Sequence, residues 1–307
     1  MREVFPVIRV TNDYGDLVVR DGLVLCFFMR HSHRDVADGV WRALEHYRRA
    51  IPPQALGWYG ADDGDTLPLD EAGWEHIRYQ LVERAWGIAW LVDLSELESG
   101  AAGNYHFEYE GRKLDDPYFD RDDGATSGIC FSFPTEYLLE HGPGHFRALA
   151  LDIARELPFS FGYASLAFNS RPGAWFSVRR QLLAPLNRYL GLDIHHLGDT
   201  SRHIGTKARG AYWLTFLGEP LLAQLGGLES LQQRLEMPEL SFQRVAPERV
   251  LLTLGEWPDA IDTEARPVPV QYRELARVLE PFLCEEESTW PPFDTAMWHR
   301  WLRRLCP

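Results

Sequence analysis

The chain has 307 residues, 45 acidic against 31 basic, and a formal net charge of −14 with histidines neutral. That balance excludes a protein that grips nucleic acid through its phosphates, which needs basic surface. An apolar fraction of 45% is that of a globular chain able to bury a large core.

In chain order, residues 23–29 form a continuous apolar run, the mark of a strand buried on both faces. Asp35 is placed to cap a helix with Val36, Val40, Leu44 and Tyr47 on one face, ended by Pro52 and Pro53. A short strand over 56–59 leads to an acidic turn over 62–65, and Asp70 caps a second helix carrying Trp74, Ile77 and Leu81. Residues 86–92 read as a further apolar strand, and 105–110 alternate as a half-exposed one. An acidic loop with aromatics inside it covers 115–124, followed by a strand over 129–133. A helix with Phe146, Leu149, Ala150, Ile153 and Leu157 on its face precedes a strand over 159–168. The helix-length segment 176–190 is interrupted by Pro185, and 193–206, rich in His and Gly, reads as a loop.

The most distinctive stretch follows. Residues 211–217 are aromatic and β-rich, and they stop at Gly218. Pro220 suits a first helical turn, Leu221, Leu222 and Leu225 follow, and Gly226–Gly227 supplies a positive-φ stop before a second helix over 228–235. Two strands, 240–245 and 249–254, flank a turn at Pro247; a loop over 257–269 leads to helix faces carrying Tyr272, Leu275, Ala276, Leu279 and Phe282, then Phe293, Met297, Trp298, Trp301 and Leu305. The order strand–helix–strand recurs near Leu23, Ile129 and Ala211, in pattern rather than in residues. Without strict βαβ alternation the expected class is α+β: mixed or antiparallel sheets flanked by helices, with repeated strand–helix–strand lobes an open alternative. A single unit over 1–307 is expected, its one candidate lobe boundary near 170–210.

Chemical motifs are sparse. Cys26, Cys130, Cys284 and Cys306 form no CxxC pair, and Cys26 and Cys130 lie in apolar runs as small core residues. His31 and His33 alternate after a strand, and His195, His196 and His203 share one polar segment, yet no HExxH occurs. Solvated histidines outweigh a metal site there; a metal-dependent hydrolase using His31, His33 and His203 is the enzymatic alternative, and a non-enzymatic scaffold or regulatory module a third. The turn Asp62-Asp63-Gly64-Asp65 lacks the ligand ladder and distal glutamate of a calcium loop. No G-x-S-x-G elbow and no phosphate-cradling glycine loop between strand and helix is found. Arg179, Arg180 and Arg202 are too few for a nucleic-acid stripe, so no direct nucleic-acid partner is expected. The N-terminus lacks the apolar stretch of a secretory signal, and no run is long enough to cross a bilayer; the expected compartment is the cytoplasm, with no membrane partner.

The motifs at 210–218, 225–228 and 252–258, with the helix opening at Tyr272, resemble the type VI secretion immunity family of the TsiV kind. The segment 131–136 and its following helix are similar to that family's N-terminal portion, so the resemblance runs from about Leu23 to Leu283. It implies a non-enzymatic antidote without catalytic residues or cofactor, binding a cognate effector toxin. Members are linked with nuclease effectors of the restriction-endonuclease-like class. A nuclease needs a basic DNA-binding surface, and acidic loops bearing aromatics combine steering charge with anchors that can be buried. The contact residues expected from charge and aromaticity are Asp62, Asp63 and Asp65 in one loop, and Asp115, Asp116, Tyr118, Phe119, Asp120, Asp122 and Asp123 in the other; the competing reading is a solvated loop whose rings fold back on the core.

Overall fold

A computed structural model of the chain describes residues 5–98, 101–119, 123–171, 174–285 and 295–306. The elements in order are β1 (Arg9–Thr11), β2 (Leu17–Met29), α1 (His33–Ala50), β3 (Trp58–Gly60), β4 (Thr66–Pro68) and α2 (Glu71–Arg78), which runs on into a π-helical turn over Tyr79–Glu83. Then come β5 (Ala89–Ser95), β6 (His106–Arg112), β7 (Ser127–Pro134), α3 (Thr135–His141), α4 (Pro143–Glu156) and β8 (Phe161–Asn169). The last third holds α5 (Trp175–Arg188), α6 (Leu197–His203), β9 (Leu214–Gly218), α7 (Leu221–Gln224), α8 (Gly227–Arg234), β10 (Leu240–Ala246), β11 (Arg249–Leu254), α9 (Val270–Leu279) and α10 (Thr295–Leu302).

The apolar run at 23–29 becomes the inner part of β2, and all of it is buried. Its side chains alternate between two cores, as a period of two requires. Leu23, Leu25, Phe27 and Met29 join one cluster, while Val24, Cys26 and Phe28 join the other. Around β2 an 11-stranded open sheet assembles in the order β10-β11-β9-β8-β2-β7-β6-β5-β3-β4, with β1 also on β2. Every ladder in it is antiparallel. The class is therefore α+β, and the three strand–helix–strand stretches all feed this one sheet.

The first face is covered by α1, α4 and α5, through Val36, Val40, Leu44, Tyr47, Phe146, Ile153, Val178 and Leu182. The second is covered by α6, α7, α8 and α9, through Leu197, Leu221, Leu225, Leu231, Tyr272, Leu275 and Leu279. Gly39 lets α1 approach α4: a Cβ there would lie 2.4 Å from the Glu156 carbonyl oxygen. Gly226, at φ +91°, separates α7 from α8 as its sequence position predicts.

Several expectations need correction. The cap position of α1 is Ser32, not Asp35, which sits inside the first turn where its charge suits the helix dipole. The strand expected over 86–92 starts only at Ala89, because Gly87 takes a φ of +115° that breaks an extended chain. Pro185 does not interrupt α5; it lies in the last turn, where a missing N–H costs one bond. The 193–206 segment is not all loop. It contains α6, whose cap is the His196 ring: Nδ1 accepts from the Asp199 amide at 3.1 Å.

Candidate functional site

The antiparallel order puts both acidic loops at one end of the sheet. Residues 61–65 join β3 to β4, and 113–126 join β6 to β7; both leave the sheet where β5 begins. Asp62, Asp63 and Asp65 are exposed. Asp63 Oδ1 accepts from the Asp65 amide at 3.1 Å, which shapes the turn. In the second loop Asp115 and Asp123 are exposed and Asp116 and Phe119 half-buried, while Tyr118 is 74% exposed. Asp115 Oδ1 accepts from Ser32 Oγ at 3.2 Å, and the Asp123 carbonyl accepts from Arg30. The Tyr118 amide, donating to Asp116 at 3.1 Å, and Lys113 beside it hold the Asp116 carboxyl below its ordinary range. Tyr118 and Phe119 meet edge to face at 4.8 Å, so the half-buried ring props the exposed one. Asp120 and Asp122 lie outside the described residues.

Between these loops runs segment 84–91, which overlaps the strand expected over 86–92. It carries three exposed apolar side chains: Trp86 (67% exposed), Ile88 (43%) and Leu91 (70%). Arg84 ties it to the first loop, its guanidinium 4.0 Å from Asp62 and 5.1 Å from the centre of the Trp86 ring. The Ile88 carbonyl ties it to the second by accepting from the Lys113 amide at 2.9 Å. An apolar strip is thus flanked by carboxylates on both sides. The signal that could have revealed it is Gly87, which releases Trp86 from the strand.

His31, His33 and His203 do not form a metal centre. His33 is buried, stacked on Trp90 at 4.1 Å, with Nδ1 2.8 Å from the Tyr109 hydroxyl. Burial lowers its pKa to about 4. Burial also lowers that of His31, and His203 Nδ1 lies against the Asp199 carbonyl at 2.8 Å. None of the three belongs to a group of side chains close enough to share an ion among the described residues.

The second face of the sheet does hold such groups. Register pairs Asp93 with Glu108, Glu108 with Cys130, Cys130 with Cys26 and Cys26 with Tyr163, which makes one row across five strands. Asp93, His106 and Glu108 lie close enough to share an ion, and so do Glu108, Cys130 and His195. His106 Nε2 and Asp93 Oδ2 are 3.1 Å apart. Burial works against charge on both, but each charge favours the other, so His106 is raised and Asp93 lowered. Glu108 is pushed up to about 7, chiefly by burial and further by the Asp93 and Glu110 charges.

Over this row lies the chain between α5 and α6. Asp193 bridges to Ala167 of β8, its amide donating to the Leu166 carbonyl at 2.8 Å. Its carboxylate, wholly buried, takes Arg209 Nη1 at 2.6 Å and the Tyr163 hydroxyl at 2.7 Å. Tyr212 stacks on Tyr163 at 4.0 Å and accepts from the same guanidinium at 2.7 Å. So anchored, the segment holds His195 against the sheet.

No helix among the described residues is long and apolar enough to cross a membrane. A search of curated proteins finds no match. Among solved structures the chain is similar to a T6SS protein of Pseudomonas aeruginosa, at 19% identity and a TM-score of 0.80, over 97% of this chain and 87% of that one. That likeness concerns the fold. A family model described as type VI immunity for VRR-NUC matches residues 39–305, nearly the whole chain. The chain therefore belongs to the TsiV family of type VI immunity proteins.

Proposed function

We propose that this protein neutralises a VRR-NUC nuclease effector by covering its DNA-binding surface with segment 84–91 and the acidic loops at 61–65 and 113–126. The observation that carries this reading is the exposed strip of Trp86, Ile88 and Leu91 between two sets of carboxylates. Large apolar side chains left in water at the centre of a charged rim have the layout of a binding hot spot. A nuclease surface built for phosphates is basic. A chain of net charge −14 is steered toward it from a distance, and the apolar centre then slows departure. Binding of this sort needs no cofactor and turns nothing over, and it protects wherever the effector would meet DNA, in the cytoplasm.

The experiment mixes the purified protein with the nuclease domain of its effector and follows DNA cleavage. A stable equimolar complex with cleavage abolished is expected. Cleavage that persists at excess antidote overturns the reading.

A further inference from the structure

We propose that Glu108, Cys130 and His195 form a binding site for a thiophilic divalent metal ion of the zinc type. One ligand atom from each lies within 4.8 Å of the other two. Ligands on tetrahedral zinc sit about 3.3–3.8 Å apart, from bond lengths of ~2.0–2.3 Å, so closure requires only a small rotamer adjustment. The set of one carboxylate, one thiol and one imidazole suits zinc and disfavours the hard cations, which take oxygen alone.

Three observations single out this trio. Glu108 and Cys130 are direct register partners on β6 and β7, so backbone pairing fixes their spacing. His195 is only 6% exposed, yet its Nδ1 has no hydrogen-bond partner, a costly state for a buried polar atom. Glu108, half-buried, accepts no hydrogen bond from the described residues. The neighbouring trio is a weaker candidate, because Asp93 and His106 already satisfy each other at 3.1 Å.

The ion would join β6, β7 and the chain ahead of α6, three segments far apart in sequence. Binding must displace the thiol proton of Cys130, and any proton on Glu108, into solvent. Stability then rises with free metal, since the unfolded chain lacks the preformed trio. The trio lies on the sheet face, apart from the docking surface.

The test titrates cobalt(II) into reduced, untagged, metal-free full-length protein. One equivalent is expected to give a thiolate-to-cobalt charge-transfer band with the visible spectrum of tetrahedral cobalt, and zinc is expected to abolish both. C130S should lose the charge-transfer band, whereas C26S should keep it. Zinc should raise the melting temperature of the wild type but not of H195A or E108Q. Reduced wild-type protein with four titratable thiols and no band overturns the proposal, and so does a band that survives C130S.

Discussion

Replacing Trp86 with alanine separates binding from folding. A tryptophan buries about 150–250 Å² when fully enclosed, and Trp86 stands 67% exposed. Docking therefore has about 130 Å² left to remove from water, or ~3.3 kcal/mol at 25 cal/mol per Å². Ordering the side chain at the interface returns about 1 kcal/mol of that. The remaining ~2.3 kcal/mol corresponds to a roughly 50-fold weaker complex. The folded chain loses little, because Trp86 gives it mainly the Arg84 contact at 5.1 Å, worth under about 1 kcal/mol. The assay is calorimetric titration of the effector's nuclease domain into wild type and W86A, with thermal melts of both. An affinity within threefold of wild type, with unchanged melting, refutes the placement of the interface centre at segment 84–91.

Charge and apolar contact should act on different rate constants. The triple variant D62N/D63N/D65N is expected to associate several-fold more slowly at low salt, with dissociation little changed and the salt dependence flattened; equal association rates in stopped flow would contradict the steering role. Glu108 sets a pH dependence. Its folded pKa of about 7 lies above the ordinary 4.5, so its contribution is fully present below pH 4.5 and is lost as pH rises through 7. Metal-free E108Q should therefore gain on wild type across that window, by on the order of 1–2 kcal/mol after solvent screening, and run parallel to it above; parallel urea midpoints throughout would refute the burial of this carboxyl. R209A leaves the enclosed Asp193 carboxylate only the more distant Arg304, at 3.6 Å, and should cost up to about 3 kcal/mol in urea unfolding, with D193N/R209A costing less than the sum of the single changes.

What could be read from residue order was whatever short-range pattern dictates. The run at 23–29 can only be a strand enclosed on two sides, and Asp70 caps α2 as expected, accepting from the Gly73 amide at 3.0 Å. The hairpin of β10 and β11, the stop at Gly226 and the acidic turns were legible for the same reason. What was not legible depends on register. Trp86 reads as part of a strand because its neighbours are apolar, and the backbone angle at Gly87 takes it out of one. The row from Asp93 to Tyr163 joins residues scattered over much of the chain, and no spacing within one segment announces it. α6 was hidden because a histidine ring does the capping usually done by Ser, Thr, Asp or Asn.

The main path of the sheet ends in two outer strands, and both discourage pairing with another backbone. β4 is three residues long and ends in a proline, while β10 presents Gln243 and Arg244 to solvent. In the proposed mode a guest is met by side chains on turns and not by an added strand. The scaffold beneath those turns keeps its shape at 19% identity, so residues on the turns can differ without cost to the sheet.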